Sequence, residues 1–181
     1  GLECRLGRAS AVGRQRRGFD SREQWRPESF CEGKIRRSDF DFPQAVTDCT
    51  AALGVLAGIA GGAKTPAVMG FCLGGTLAWA VAAAGEPSCC VSYYGSGVPS
   101  MLGMIDQVTC PTLFHFGNAD AYIPNDGVEA VGTAIAGRNG FFLNVEDAGH
   151  AFDNHESEMF WNEPAAKSAW AKTMSFLTEH A

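Results

Sequence analysis

The sequence has 181 residues, of which 46% are hydrophobic and 19% charged, a composition typical of a folded globular domain with a sizeable core. Its formal net charge is −6, but residues 1–37 hold ten of the fourteen Lys and Arg residues against five acids, a net +5, which leaves −11 for the remainder. Because the acids are interspersed among the bases, we interpret this segment as an irregular solvated surface, not as a nucleic-acid arm or a transit peptide. We expect a single domain over residues 1–181, with residues 1–37 poorly defined.

The seven cysteines are odd in number and form no C-x-x-C pair, a pattern typical of a reducing compartment. We find no apolar run of transmembrane length and no order of basic, apolar and small residues like that of a signal peptide. These observations predict a cytoplasmic protein that binds neither membrane nor nucleic acid.

The first clear helix is predicted after Asp41, a plausible N-cap residue, with Pro43 in its first turn. Its apolar positions are predicted to share one face and the helix to end near Gly61 and Gly62. The positions are Val46, Cys49, Leu53 and Leu56.

Four apolar segments of strand length then alternate with helical segments. The predicted strands are 66–69, 89–94, 111–116 and 140–145, and the predicted helices are 75–84, 125–136 and 164–180. This alternation predicts an α/β fold with a mostly parallel sheet covered by helices on both faces. Ligands bind at the carboxyl ends of strands in such sheets.

The stretch Gly70–Gly75 lies between the first strand and the following helix. Small residues two before and two after a nucleophile let a strand turn sharply into a helix, which is the context of a nucleophile elbow. Cys72 occupies the nucleophile position. At a helix N-terminus its thiolate is favoured, and the backbone N–H of Leu73 points at a developing oxyanion.

An acid and a base are predicted at the ends of later strands. Asp120 follows the third strand and is expected to orient a histidine, with Asp126 as its rival. His150 follows the fourth strand and is the predicted base, with His155 as a weaker candidate. His115 lies within a strand and is interpreted as a packed core histidine. The pattern shows no metal-ligand spacing and no phosphate-binding loop.

Tyr93 and Tyr94 are interpreted as core residues, and no catalytic role is assigned to them. Ser96 lies between Gly95 and Gly97, but this short motif lacks the outer glycine spacing of an elbow. It is not assigned a role either.

Together these motifs resemble the dienelactone hydrolase family, whose members have an α/β-hydrolase fold with a cysteine nucleophile. The matching segments are 70–75, 93–95, 111–124 and 148–152. The resemblance implies a Cys72, Asp120 and His150 triad and no cofactor. It also implies that the chain corresponds to the C-terminal three-quarters or so of a family member, without the upstream strands and the second oxyanion donor.

Within the family, two arginines hold the carboxylate of dienelactone. Arg5 resembles the first of them, whereas the second falls near Asn154, next to Asp153. The resemblance therefore predicts a small ester or lactone as substrate, with neutral esters preferred because Asp153 repels an anion.

The expected activity is hydrolysis of such an ester or lactone through a thioester acyl-enzyme. One alternative is a class I glutamine amidotransferase-like Cys hydrolase, although its acid is usually two residues after the histidine, where this chain has Phe152. A second alternative is a truncated, non-catalytic relative that acts as an interaction module. No oligomeric state is predicted from the sequence.

Overall fold

A four-stranded parallel sheet positions the functional residues. In the computed structural model, which describes residues 40–59 and 65–181, the strands are β1 (Val68–Phe71), β2 (Cys90–Tyr93), β3 (Thr112–Gly117) and β4 (Phe141–Glu146). They pair in chain order, β1-β2-β3-β4. The parallel register aligns Phe71 with Tyr93 and Tyr93 with His115, so the carboxyl ends of the strands lie along one edge of the sheet.

Four α-helices and one 3₁₀ segment connect or follow these strands. The helices are α1 (Phe42–Ile59), α2 (Leu73–Ala84), α3 (Asn125–Ile135) and α4 (Glu163–His180), and the 3₁₀ segment is Val98–Gln107. Residues 42–181 form one compact unit. The prediction for residues 1–37, Arg5 and the glycines at 61 and 62 lies outside the described residues.

Alternate residues of the strands face opposite sides of the sheet. On one side, Trp79 of α2 packs edge-on against Phe114, with ring centroids 5.3 Å apart, and donates from its indole N–H to the carbonyl of Met101. On the other side, Phe142 packs against Phe176 of α4. Helices therefore cover both faces, as the alternation of elements predicted.

The core is built from large side chains that are almost fully removed from water. These include Trp79, Tyr93, Phe114, Phe116, Ile123, Val131 and Phe152. Burial of each such side chain contributes about 1.5–3 kcal/mol relative to exposure. The sheet and helix α2, which position Cys72, supply much of this core.

Several predicted boundaries differ from the structure. Strand β1 begins and ends two residues later than predicted, and α2 begins at Leu73, directly after the candidate nucleophile, instead of at Gly75. Leu56 is 49% exposed and does not join Leu53 on the buried face of α1. The 3₁₀ segment was not predicted, because its Pro99 and Gly103 suggest a loop and a short tight helix has no distinctive period.

Helix α1 meets the length and composition of a membrane-crossing segment, with a mean hydropathy of 1.2 over 18 residues. By this criterion, the expectation that no apolar run reaches transmembrane length is wrong. The same criterion is met by core helices of soluble proteins and by signal sequences, so one such helix is weak evidence for a span.

Candidate active site

Cys72 lies at the junction of β1 and α2 in a conformation that few non-glycine residues adopt. Its φ is 55° and its ψ is −119°, and such a backbone costs on the order of 1–3 kcal/mol. It is the sharp, strained turn between a strand and a helix that characterises a nucleophile elbow.

The glycines around Cys72 allow backbone segments to approach closely. A Cβ on Gly70 would lie 1.9 Å from the carbonyl oxygen of Gly74, and one on Gly75 would lie 2.5 Å from that of Tyr93. A Cβ on Gly74 would meet nothing within 4 Å. The expectation of a small residue two positions after the nucleophile is therefore wrong in its steric reason: Gly75, three positions after it, is the one that leaves no space.

Strand β2 holds the elbow through two further contacts. The backbone N–H of Cys72 donates to the carbonyl of Tyr93 at 3.0 Å. The hydroxyl of Ser92 donates to the carbonyl of Gly75, also at 3.0 Å. Because both contacts come from a fully buried strand, the position of the sulfur is set by the sheet.

The structure brings together the three candidate residues that follow different strands. His150 Nε2 lies 3.2 Å from Cys72 Sγ, and His150 Nδ1 lies 2.7 Å from Asp120 Oδ2. His150 is 9% exposed and Asp120 is 7% exposed. The arrangement places an imidazole between a thiol and a carboxylate, which is the geometry required for an activated nucleophile, a base and an orienting acid.

Asp120 is held by the turn that it begins. Its Oδ1 accepts hydrogen bonds from the backbone N–H groups of Tyr122, at 2.7 Å, and Ile123, at 3.1 Å. Oδ2 is thereby directed at His150. The turn-forming use of Asp and its contact with the histidine are therefore not alternatives, because the two oxygens serve them separately.

The rival residues lie elsewhere. Asp126 is exposed and accepts from the neighbouring Gly127 N–H. The side chain of His155 is 72% exposed and pairs with Glu156. Neither contacts Cys72 or His150 in the part of the chain that the structure describes.

Opposing effects act on the pKa of His150. Burial alone would lower it, but the hydrogen bonds to Cys72 and Asp120 and the negative charge of Asp120 outweigh burial and raise the pKa above its ordinary value. The imidazolium form is thus favoured beside the thiol. A cysteine next to a cationic imidazole is the usual setting of a reactive thiolate.

Leu73 is the first residue of α2, so its backbone N–H is among the four at a helix N-terminus that lack an intrahelical acceptor.

Arg5, the residue predicted to bind the substrate carboxylate, lies outside the described residues. Within residues 40–59 and 65–181 no cluster of three or more His, Cys, Asp or Glu side chains has metal-binding geometry.

His115 is buried and belongs to a separate hydrogen-bonded network on the α4 side of the sheet. Its Nε2 lies 2.9 Å from the Thr173 hydroxyl, and Asn144 lies 2.9 Å from its Nδ1. Burial and the nearby positive charge of Lys172 lower the pKa of His115 to about 4. This neutral, internally satisfied residue confirms the interpretation of His115 as a core histidine.

The sequence analysis missed a residue at the site, Tyr94. Its ring centroid lies 4.9 Å from that of His150 and 5.4 Å from that of Phe152, and its hydroxyl donates to the Asp153 carboxylate. Burial raises the pKa of Tyr94, as do its contact with Asp153 and the nearby Cys72. The feature that could have indicated this role is the position of Tyr94 directly after β2, the strand that pairs with β1.

Three non-glycine residues with positive φ occur in the described part of the chain, and all three lie at this site. They are Cys72 at 55°, Tyr94 at 36° and Ala151 at 53°. Such strain persists only where surrounding contacts over-determine it, and it concentrates at functional sites.

A groove between α1 and the segment after α2 lies at the opposite end of α2 from Cys72. It is lined by Thr50, Leu53 and Gly85 among others.

Comparison with known proteins matches residues 34–181 to the dienelactone hydrolase family. The chain is 38% identical over 111 residues to a carboxymethylenebutenolidase of Pseudomonas sp. (strain P51), covering 61% of this chain and 46% of that protein. It is 30% identical over 139 residues to carboxymethylenebutenolidase 1 of Cupriavidus pinatubonensis, covering 77% and 59%. The chain thus spans about half the length of the curated relatives it matches.

Solved structures agree at the level of the fold. A dienelactone hydrolase homologue from Klebsiella pneumoniae superimposes with a TM-score of 0.63 and 26% identity, over 75% of this chain and 62% of that one. An esterase from Pyrococcus furiosus gives a TM-score of 0.60 at 16% identity, over 75% and 61%.

Proposed function

Because the chain belongs to the dienelactone hydrolase family, we propose that it hydrolyses a small ester or lactone through a Cys72, His150 and Asp120 triad. The observation that carries this proposal is the continuous contact from Cys72 Sγ to His150 Nε2, at 3.2 Å, and from His150 Nδ1 to Asp120 Oδ2, at 2.7 Å. Activity requires these three groups within hydrogen-bond reach of one another.

In the first half of the reaction, the Cys72 thiolate attacks the carbonyl carbon of the ester. The carbonyl oxygen gains negative charge beside the Leu73 N–H, which together with the positive end of helix α2 stabilises the oxyanion. The bond to the leaving oxygen then breaks, and that oxygen takes the proton from His150 Nε2. An ester gives the free alcohol and a thioester on Cys72, whereas a lactone opens to a single thioester on Cys72 whose acyl chain carries the new hydroxyl group.

In the second half, neutral His150 accepts a proton from a water molecule as the water attacks the thioester carbonyl. The carbon–sulfur bond breaks, the carboxylic acid leaves, and Cys72 returns to its thiolate beside the His150 imidazolium. Asp120 holds the proton on Nδ1, so that Nε2 faces the sulfur in both halves. A thiolate expels enolate-like oxygens best, which favours activated esters and lactones over amides.

The observations disfavour a glutamine amidotransferase-like reaction. The position two residues after His150 is Phe152, which is fully buried in the core, and the carboxylate on His150 comes from another strand end, Asp120. The remaining alternative is a non-catalytic interaction module, which would have the same geometry but no turnover. An experiment distinguishes it from a hydrolase.

The test is to trap the thioester. The protein is mixed with p-nitrophenyl acetate, quenched in acid during turnover and digested, and the Cys72 peptide is examined by mass spectrometry. We expect acetylated Cys72 together with steady release of p-nitrophenol. In the His150→Ala variant, the Cys72 peptide should stay unmodified, or p-nitrophenol should be released more than about 100-fold more slowly than by wild type.

Cys49→Ser is the matched control, because Cys49 lies in α1, outside the elbow, and is partly exposed like Cys72. It should leave p-nitrophenol release unchanged. Steady release with Cys72 alkylated, or acetylation of another residue in its place, would refute the assignment. Absence of release from a folded wild-type protein would favour the interaction module.

A further inference from the structure

Tyr94, the residue directly after β2, contacts the loop that carries His150 at three points. The Tyr94 ring packs against His150 at 4.9 Å and against Phe152 at 5.4 Å. Its hydroxyl donates a hydrogen bond to Asp153 Oδ1. These contacts fall on residues on both sides of Ala151, which has a positive φ of 53°.

The backbone on both sides of this attachment is strained. Ala151 follows His150 directly, and Tyr94 itself has a φ of 36°. Neither residue is glycine, so both conformations need contacts that hold them. For Tyr94 the backbone N–H bond to His115 O, at 2.7 Å, supplies one such contact from β3. For the loop, the hydrogen bond between Tyr94 and Asp153 supplies one such contact two positions after Ala151.

The Tyr94 hydroxyl is also poorly suited to chemistry of its own. The residue is 2% exposed, and burial together with the Asp153 carboxylate raises its pKa far above neutrality. The contacts of the pair with the loop therefore point to a role in holding the loop in position.

We propose that Tyr94 and Asp153 are a positioning pair: their hydrogen bond fixes the loop of residues 147–153 so that His150 Nε2 stays within reach of Cys72 Sγ. The proposal rests on the proposed partnership of Cys72 and His150, but it does not depend on which ester is hydrolysed. Its direct consequence is that loss of the hydrogen bond uncouples the imidazole from the thiol while the fold persists.

The experiment measures alkylation of Cys72 by iodoacetamide as a function of pH in the full chain, with mass mapping of the Cys72 peptide. An uncoupled thiol with a pKa of about 8.5 is less than about 1% thiolate at about pH 6. A thiol paired with imidazolium reacts at that pH much faster. His150→Ala defines the uncoupled profile, and wild type defines the coupled one.

We expect Tyr94→Phe and Asp153→Ala to lower the rate of Cys72 alkylation at about pH 6 by roughly tenfold or more, toward the His150→Ala profile. The double variant should be no slower than either single variant, since both remove the same bond. Asp153→Asn should keep the wild-type profile, because its amide oxygen still accepts from the Tyr94 hydroxyl.

Tyr93→Phe is the matched control. Tyr93 is the adjacent tyrosine, equally buried, and its hydroxyl is hydrogen-bonded to Thr173 at 2.7 Å on the α4 side. It therefore reports the general cost of removing a buried hydroxyl, and its Cys72 profile should match wild type. Circular dichroism and thermal unfolding establish that each variant is folded before alkylation is measured.

Two results overturn the positioning pair alone: a wild-type profile in both Tyr94→Phe and Asp153→Ala, or an Asp153→Asn profile that equals that of Asp153→Ala. A wild-type profile in His150→Ala has a different meaning. It would overturn the coupling of Cys72 and His150, and with it both the proposed function and the positioning pair.

Discussion

At the scale of single residues, the site depends on Asp120 presenting its two oxygens to different partners. Oδ1 is occupied by two backbone N–H groups of its own turn, and Oδ2 faces His150 at 2.7 Å. The charge of Asp120 and the hydrogen bond that its Oδ2 accepts from His150 are among the influences that hold the pKa of His150 above its ordinary value against the effect of burial. Removing the charge should therefore lower that pKa.

We predict that Asp120→Asn lowers the pKa of His150, so that the imidazole becomes neutral at a lower pH than in wild type. The ester hydrolysis rate should fall roughly 10²–10⁴-fold, since the amide does not stabilise the imidazolium and favours the wrong tautomer. The measurement is an NMR titration of the His150 ring, together with the rate of p-nitrophenyl acetate hydrolysis.

Asp126→Asn is the control for this prediction, because Asp126 is exposed and hydrogen-bonded only to the neighbouring Gly127 N–H among the described residues. Its His150 titration and hydrolysis rate should equal those of wild type. An unchanged or higher His150 pKa in Asp120→Asn would show that Asp120 does not stabilise the imidazolium.

At the scale of elements, the elbow depends on the junction of β1 and α2, and the neighbouring glycines differ in what they allow. Gly70 faces the Gly74 carbonyl across the turn, whereas Gly74 faces open space. A side chain at Gly70 must displace backbone, which cannot give way as a flexible side chain does.

Gly70→Ala is predicted to destabilise the protein by more than about 3 kcal/mol or to prevent folding. Gly74→Ala, the matched control within α2, should be neutral or stabilising by up to about 1 kcal/mol, because alanine reduces the entropy of the unfolded chain and favours helix. Urea unfolding followed by circular dichroism compares the two. Equal losses in both variants would contradict the steric account.

A second element-scale feature is the docking of α4 on β3 and β4 through the His115 network. The neutral ring accepts from Asn144 at Nδ1 and lies against Thr173 at Nε2, while Lys172 and Glu146 are the charged groups nearby. Protonation of Nδ1 would place two donors face to face, with the Asn144 amide opposite the new N–H.

This network predicts a loss of stability in acid. The pKa of His115 is about 4 in the folded protein and about 6.5 when unfolded. The unfolded chain therefore binds more protons between these values, so the contribution is complete above about pH 6.5 and is lost as pH falls toward 4. The free energy of unfolding should decrease by up to about 3 kcal/mol from this group.

His115→Gln should reduce the difference in unfolding free energy between pH 7 and pH 4 by a similar amount, because glutamine does not titrate. His155→Gln, which changes an exposed histidine, should leave that difference unchanged. The measurement is urea unfolding at both pH values. A full wild-type pH dependence in His115→Gln would assign the acid sensitivity to other groups.

At the scale of the whole molecule, the charge distribution bears on the substrate. Residues 38–181 carry four Lys and Arg residues against fifteen acids, a net −11, and Asp153 lies beside the candidate site through its bond to Tyr94. Such a field lowers the local concentration of anions and raises the barrier to their approach.

We predict that kcat/KM for a neutral activated ester exceeds that for dienelactone, which carries a carboxylate, by about tenfold, or 1.4 kcal/mol. Added salt should raise the rate with dienelactone and leave the neutral ester unaffected, since it screens the repulsion. Asp153→Asn, which keeps the hydrogen bond to Tyr94, should reduce the difference in kcat/KM between the neutral ester and dienelactone. A hundredfold preference for dienelactone would mean that a cation binds the carboxylate and that Asp153 does not repel it.

The sequence alone determined the order of the four strands and the α-helices and the three candidate residues at the strand ends, because apolar periodicity and glycine spacing are local properties. The carboxyl ends of parallel strands share an edge, so Cys72, Asp120 and His150 were predicted near one another without any knowledge of helix packing. The fold and the family followed from the same patterns.

Only the tertiary structure decided which neighbours those residues have. Tyr94 looked like an ordinary core residue because its contacts with His150 and Asp153 cross more than fifty positions of the chain. The need for glycine at position 75 likewise arises from the carbonyl of Tyr93 in the adjacent strand, whereas a side chain at position 74 would meet open space. Local pattern cannot carry such information, since the distance between two atoms far apart in sequence is set by how the sheet and its helices pack together.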